Sequence, residues 1–133
     1  MARRGDDLLE RLLDFAARIG KVVDALPETR LGRHVAGQLV RCGTSPSPNY
    51  AEAGGAESRR DFVHKLAICL KELRETRCWL LLIVKSELLP QERLLELSDE
   101  CGQLMSIMAK SIVTAKSNMS RATGSRDRND PAN

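Results

Sequence analysis

The stretch that decides the fold is RRDFVHKLAICLKELRETRCWLLLIVKS, residues 59–86. Ser58 stands directly before it as a candidate N-cap, and Asp61, three residues on, is an approximate capping-box partner. At about 100° per residue, one face of a helix collects most of the apolar side chains. These are Phe62, Leu66, Cys69, Leu73, Leu80 and Val84. The stretch therefore predicts one long helix, from about Arg59 to Ser86, whose main apolar face lies in a core.

A second apolar face of the same helix is formed by Ile68, Trp79 and Ile83, roughly 100° or more from the first. Within residues 78–84 the helix is apolar nearly all round, so it has to be covered on more than one side. We expect a subunit interface at these three residues. The alternative is that loops or the proline-containing segment 46–55 cover this face within one chain. The apolar run is far shorter than the ~20 residues of a membrane span.

The regions on either side of this stretch also have helical periodicity. Apolar residues recur every three or four positions from Asp6 to Leu26, and Pro27 then ends the pattern. A second pattern runs from Leu31 to Cys42, and a last one follows Pro90 from Leu94 to Ala115. Four helices with short connections predict an all-α, up-down-up-down antiparallel four-helix bundle.

Two segments are expected to depart from regular helix. Pro46 and Pro48 each remove a backbone donor and clash with the preceding turn, so the second helix should be kinked near them. The apolar periodicity also ends before residue 117. We therefore predict a bundle domain over residues 1–116 and a disordered C-terminal tail over residues 117–133.

Composition limits the classes of protein that this chain can belong to. Of its 133 residues, 42% are hydrophobic and 29% charged, which is typical of one globular domain. Only 3% are aromatic, which disfavours β-sandwiches and barrels and leaves no platform for stacking bases. The four cysteines form no C-x-x-C pair, and the N-terminus lacks the apolar run of a signal peptide. We therefore expect a reduced, cytoplasmic protein.

No group of residues in the sequence indicates catalysis. His34 and His64 lie on different predicted helices, without metal-ligand spacing. Glu72 and Glu75 are surrounded by Lys and Arg, which is typical of surface ion pairs. The cysteines lie beside aliphatic residues, as buried thiols do. We expect no enzyme activity, no catalytic residue, no metal and no cofactor.

One edge of the long helix carries basic side chains at a spacing that places them in a row. This basic edge consists of Arg60, His64, Lys71, Arg74 and Lys85. A row of cations can bind phosphates without reading sequence, and symmetry would repeat it in every subunit of an oligomer. The alternative is a solvated helix face, with Glu57 and Glu75 diluting the positive field. The net charge of +3 alone favours the solvated face.

A series of short motifs lies within residues 41–89, namely Gly43-Thr44-Ser45, Asn49-Tyr50-Ala51-Glu52-Ala53, Gly55-Ala56-Glu57-Ser58, Asp61-Phe62, His64-Lys65-Leu66, Lys71-Glu72, Glu75-Thr76 and Trp79-Leu80. Through these motifs the stretch closely resembles a bacterial four-helix-bundle family whose members include proteins encoded in intervening sequences of large-subunit ribosomal RNA genes. A more distant relative is the accessory protein of diversity-generating retroelements. The chain departs from the usual family pattern at Pro46-Ser47-Pro48.

The resemblance implies a bundle that assembles into a ring, typically of five subunits, without a cofactor or an established enzyme activity. In the retroelement relative, the basic surface of the ring engages nucleic acid and a reverse transcriptase. The resemblance also implies that position 52 is kept acidic. We expect Glu52 to have a structural role, either accepting donors freed by the broken helix or pairing with a Lys or Arg of a neighbouring chain.

Two functional hypotheses follow from these observations. In the first, a non-enzymatic homo-oligomer, expected to be a pentamer, binds structured RNA, DNA or a nucleic-acid enzyme through the basic edge. In the second, the oligomeric bundle is a scaffold for a protein partner and binds no nucleic acid. A membrane partner is not expected under either hypothesis.

Overall fold

The computed structural model describes residues 4–129, with side chains described for residues 7–121. Its helices are α1 (Arg4–Ala25), α2 (Arg30–Thr44), α3 (Pro46–Gly54), α4 (Arg59–Lys85) and α5 (Leu95–Asn129), and a short 3₁₀ turn (Gln91–Arg93) precedes α5. The described residues contain no β-strand, which confirms the predicted all-α class. No helix in this part of the chain combines the length and the apolar character that crossing a membrane requires.

The helices begin where the local sequence provides caps. Ser58 caps α4 as predicted, because its hydroxyl oxygen accepts a hydrogen bond of 3.1 Å from the backbone N–H of Asp61. Thr29 does the same for α2, accepting from the N–H of Gly32 at 3.0 Å. Each cap satisfies one of the amide donors that the first turn of a helix leaves without a partner.

The helix break expected at the prolines lies between α2 and α3 and is one residue wide, at Ser45. Pro46 is the first residue of α3 and Pro48 lies in its first turn, where a missing N–H costs no hydrogen bond within α3 itself. The Ser47 hydroxyl donates 3.1 Å to the Thr44 carbonyl, which Pro48 leaves without its usual donor. Together, α2 and α3 are two segments of one interrupted helix.

The core lies between α4 and the helices around it. Helix α4 packs against α2, α3 and α5, whereas α1 packs against α2, α3 and α5. The buried residues of α4 are Leu66, Cys69, Leu70, Leu73, Thr76, Leu80 and Ile83. Other fully enclosed side chains include Phe15, Leu39 and Leu104, from α1, α2 and α5. Four helical layers thus share one hydrophobic cluster, as in a helical bundle.

The assignment of Ile83 to a subunit interface was wrong. Its side chain is 0% exposed in the single chain and belongs to the same cluster as Leu80. The reason is that α4 has neighbours on several sides, so its core-facing surface is wider than the single face that the sequence analysis allowed. Intrachain contacts account for this part of the apolar run.

The last helix continues beyond residue 116, where the sequence analysis placed the start of a disordered tail. Helix α5 extends to Asn129, and residues 130–133 lie outside the described residues. Apolar periodicity indicates packing against a core. This packing does end near residue 116, since residues 116–118, 120 and 121 are exposed. Helical backbone does not need that packing if no breaker intervenes, and no proline occurs between Pro90 and Pro131.

Candidate nucleic-acid interface

The five residues of the basic edge lie on the solvent-facing side of α4. Arg60, His64, Lys71, Arg74 and Lys85 are all exposed. Because α4 has no glycine or proline inside it, the row follows one uninterrupted helix. Ala67 and Cys78 are also exposed and occupy the same side of the helix between the cations.

The cations of this edge have no carboxylate partner among the described side chains. The ion pairs found there are Arg11–Glu100, Arg41–Glu72, Arg41–Glu75 and Lys65–Glu52. None of them involves a member of the basic edge. From residue 62 to residue 85, the exposed residues of α4 also include no acidic residue. Arg41 therefore engages Glu72 and Glu75, whereas Asp61 in the first turn of α4 is exposed next to Arg60 and forms no ion pair with a described side chain.

Arg41 of α2 holds Glu75, one of the two carboxylates that were expected to dilute this charge, together with Glu72. Its guanidinium donates 2.5 Å to Glu75 Oε2 and 3.2 Å to Glu72 Oε2. The hydrogen bond to Glu75 is the main reason why the pKa of Arg41 is raised. Glu75 therefore weakens the positive charge of the basic edge less than was expected. Glu57, the other expected source, is exposed just before α4 begins.

Arg77 is an additional cation that the sequence analysis did not assign to the edge. It is exposed, forms no ion pair with the described side chains and follows Arg74 by three residues. In the sequence it is one of the Lys and Arg residues that surround Glu72 and Glu75. Its three-residue spacing from Arg74 was the signal that could have placed it beside the edge.

The buried thiols are unsuited to nucleophilic chemistry. Burial raises the pKa of Cys42 to about 11, of Cys69 to about 11 and of Cys101 to about 12. Their S–H groups instead donate to backbone carbonyls, with Cys69 Sγ 3.4 Å from the Pro46 oxygen and Cys101 Sγ 3.3 Å from the Leu73 oxygen. These thiols are packing groups of the core.

Comparison with known proteins places this architecture in a family. The model of the 23S rRNA-intervening sequence protein family matches residues 7–110. The chain belongs to this family. The matched range contains all of α4, and so the whole basic edge. The resemblance noted in residues 41–89 is thereby confirmed and extends over most of the chain.

A solved structure shows the same fold. It is a protein of unknown function from the S23 ribosomal protein family of Bacteroides thetaiotaomicron VPI-5482. It is 31% identical in sequence, and the match covers 79% of this chain and 97% of that chain with a TM-score of 0.74. No curated protein matches this chain. Family membership thus fixes the fold, and the function has to be argued from the surface.

The two remaining residues of the predicted interface face, Ile68 and Trp79, are half-buried. The Trp79 ring meets the His34 ring of α2 edge-on, with 5.7 Å between the ring centroids. Its Nε1 atom is enclosed and has no hydrogen-bond partner among the described residues. Helix α2 therefore covers part of this face within one chain, and the rest of the Trp79 side chain is accessible.

Glu52 is paired within its own chain. Its carboxylate accepts a hydrogen bond of 2.6 Å from Lys65 Nζ, which joins α3 to α4 across the Gly54–Gly55 turn. The partners expected from the sequence were donors freed by the broken helix or a Lys or Arg of a neighbouring chain. Lys65, thirteen residues away on the next helix, was not considered because sequence spacing does not reveal that α3 folds back on α4.

Proposed function

We propose that this member of the 23S rRNA-intervening sequence protein family is a non-enzymatic homo-oligomer that binds nucleic acid, structured RNA first of all, through the basic edge of α4. The observation that supports this most is the exposure of Arg60, Lys71, Arg74 and Lys85 without any carboxylate within ion-pair distance among the described side chains. A nucleic acid would supply the missing negative charge. The buried, protonated thiols and the reduced state they need are compatible with a cytoplasmic location.

The arrangement favours phosphate recognition over base recognition. Lys and Arg bind phosphates through charge and N–H donors, and such contacts carry no sequence information. Each neutralised phosphate releases a counterion, so binding should weaken steeply as salt is added. The basic edge repeats in each subunit of an oligomer, which would multiply its effect beyond the net charge of +3 per chain.

For the assembly, we propose that antiparallel up-down-up-down bundles associate into a closed ring, with five subunits as the family resemblance implies. The support in this chain is the accessible part of Trp79 together with Leu31, which is 41% exposed and lies one turn before His34 on α2. An apolar patch of this kind, bordered by polar residues, is typical of a protein contact surface. Ile68 lies on the same side of α4, beyond the ion pairs of Arg41 with Glu72 and Glu75.

The experiment that tests nucleic-acid binding compares two charge-reversal variants with equal changes in net charge. Lys71→Glu/Arg74→Glu alters the basic edge, and Lys21→Glu/Lys116→Glu alters exposed, unpaired lysines of α1 and α5. Binding of a folded RNA is measured by fluorescence anisotropy from low to moderate salt. We expect the α4 variant to lose at least about tenfold in affinity and the control to stay within about threefold. Equal losses in both variants, or no RNA binding by the wild type at low salt, would refute the proposal.

The assembly is tested by light scattering coupled to size-exclusion chromatography. Leu31→Glu and Trp79→Glu should each lower the molar mass, since a carboxylate in an apolar contact loses its hydration. Val113→Glu, at a side chain 67% exposed on α5, is the matched control and should leave the mass unchanged. Circular dichroism verifies that the helices persist. A wild-type monomer at moderate concentration contradicts the oligomer.

A second candidate function is a protein scaffold that binds no nucleic acid. The observation in its favour is a groove of ≈ 660 Å³ between α4 and α5, with Leu81, Gly102 and Ile107 in its lining. Leu81 is 51% exposed there. Wild-type protein that is free of nucleic acid at low salt and co-purifies with one defined protein would favour this function.

A further inference from the structure

We propose that the basic edge of α4, together with Arg77, is suited to a double-stranded RNA stem and not to a single strand. This inference rests on the proposed function, because it names the form of nucleic acid that the same surface binds. Two observations carry it, namely the spacing of the cations along α4 and the scarcity of exposed rings on this side of the described helix, where the imidazole of His64 stands alone.

The cations fall into three groups along one helix. Arg60 and His64 form the first, Lys71, Arg74 and Arg77 the second, and Lys85 the third. At 1.5 Å per residue, Arg60 and Lys85 are about 37 Å apart along the axis. One turn of a B-form double helix is about 34–36 Å long, and a turn of the A form that RNA adopts is somewhat shorter. A helix laid along a duplex can therefore reach several successive passages of the two phosphate strands with its three groups.

A duplex presents those phosphate rows at fixed positions, whereas a single strand does not. Helix α4 is 27 residues long and fixed along its length by buried side chains from Leu66 to Ile83, so its cations hold a constant separation. A rigid row of cations binds a rigid partner with the smallest loss of conformational entropy, because neither has to be ordered on binding. A flexible single strand can place its phosphates on the middle group alone, so contacts with the end groups add little to its affinity.

The side chains between the cations do not provide what single-strand binding requires. Proteins that bind single strands generally stack bases on aromatic rings. On this side of α4 the exposed residues between the cations are Ala67, Cys78 and Leu81. The ring of Trp79 contacts His34 of α2, at the flank of the helix. Among the described residues of this face the imidazole of His64 is the one exposed ring, so a series of stacked bases has no platform there. Phosphate contact is thus the main interaction that this face offers.

The experiment measures the affinity of the full-length protein for a 20-base-pair RNA duplex and for a 20-nucleotide unstructured RNA at several salt concentrations. The decisive variant is Arg60→Ala/Lys85→Ala, which removes the two ends of the array and keeps its middle. Its matched control is Lys21→Ala/Lys116→Ala on α1 and α5, with the same loss of charge. A 20-base-pair DNA duplex is the third probe and tests whether the ribose matters.

We expect the wild type to bind the RNA duplex at least about tenfold more tightly than the single strand. The end variant should lose about tenfold on the duplex, with its salt slope reduced by about 2, and less than about threefold on the single strand. Equal binding of the DNA duplex supports the inference, since the face reads phosphates. Equal losses on both RNA probes, or tighter binding of the single strand, overturn it and leave the proposed function standing. Failure of the wild type to bind any probe refutes the proposed function itself.

Discussion

Gly43 of α2 lies directly against Ile19 of α1. A Cβ atom added at Gly43 would lie 2.7 Å from Ile19 Cγ2 and 2.9 Å from Ile19 Cγ1. Ile19 is fully buried and branched at Cβ, so it has no space and few rotamers with which to move away. The missing side chain at Gly43 is what lets α1 and α2 approach, immediately before the break at Ser45.

Gly43→Ala should therefore destabilise the protein, although alanine is the better helix former. Overpacking at a site of this kind costs about 1–3 kcal/mol, which exceeds the gain of about 0.5–1 kcal/mol from replacing a helical glycine. Urea denaturation followed by circular dichroism measures the difference. Gly37→Ala is the control in the same helix, where an added Cβ meets nothing within 4 Å, and it should be stabilising. A stabilising Gly43→Ala would show that α1 and α2 can separate freely.

A second prediction concerns the end of α4. Glu87 has a φ of 56°, and the Leu88 N–H donates 3.0 Å to the Ile83 carbonyl, as in a Schellman cap. Non-glycine residues are strained in this left-handed conformation. Glu87→Gly should raise the free energy of unfolding by up to about 1 kcal/mol. Glu96→Gly, in the first turn of α5, should lower it, because glycine there only adds flexibility to the unfolded chain.

The buried thiols predict how stability depends on pH. Their pKa values are raised from the ordinary 9.0 to about 11 for Cys42 and Cys69 and to about 12 for Cys101. Below pH 9 the thiols are protonated in both states, and their contribution to stability is fully present. As the pH rises above 9, the unfolded chain ionises first, so stability falls by about 1.4 kcal/mol per pH unit for each thiol.

The measurement is the free energy of unfolding under reducing conditions between pH 8 and pH 11. Cys101→Ala should be less stable at pH 8, because it leaves a cavity, but its decline above pH 9 should be shallower than that of the wild type. Cys78→Ser alters an exposed thiol and should leave the wild-type slope unchanged. Parallel profiles for Cys101→Ala and the wild type would contradict the raised pKa.

Features set by a few neighbouring residues could be predicted from the sequence, whereas features set by contacts between distant residues could not. The cap at Ser58 and the break at Pro46 are local backbone effects, and both lie where they were expected. The burial of Ile83 depends on how many helices surround α4, which a helical wheel of one segment does not contain. The exposure of the basic edge was visible as periodicity. The pairing that keeps Glu75 from opposing this edge was not visible in the sequence, because it depends on Arg41, which lies thirty-four residues before Glu75.

This role of Arg41 leads to a last prediction, about RNA binding. Arg41→Ala leaves Glu72 and Glu75 without their partner beside the basic edge, and their negative field then opposes phosphate binding. We expect about a three- to tenfold loss of RNA affinity at low salt. Arg33→Ala, also on α2 and with the same loss of charge, should lose less, because Arg33 contacts the Glu28 backbone carbonyl and no carboxylate.

The triple variant Arg41→Ala/Glu72→Gln/Glu75→Gln separates this indirect effect from direct contact. If Arg41 acts by neutralising the two carboxylates, removing their charges should restore affinity to within about twofold of the wild type. If Arg41 itself binds a phosphate, the triple variant should remain as weak as Arg41→Ala, and its salt slope should be lower by about 1. The comparison is made at constant helicity, so that a change in folding is not read as a change in binding. Recovery in the triple variant identifies Arg41 as the residue that keeps the basic edge positive without belonging to it.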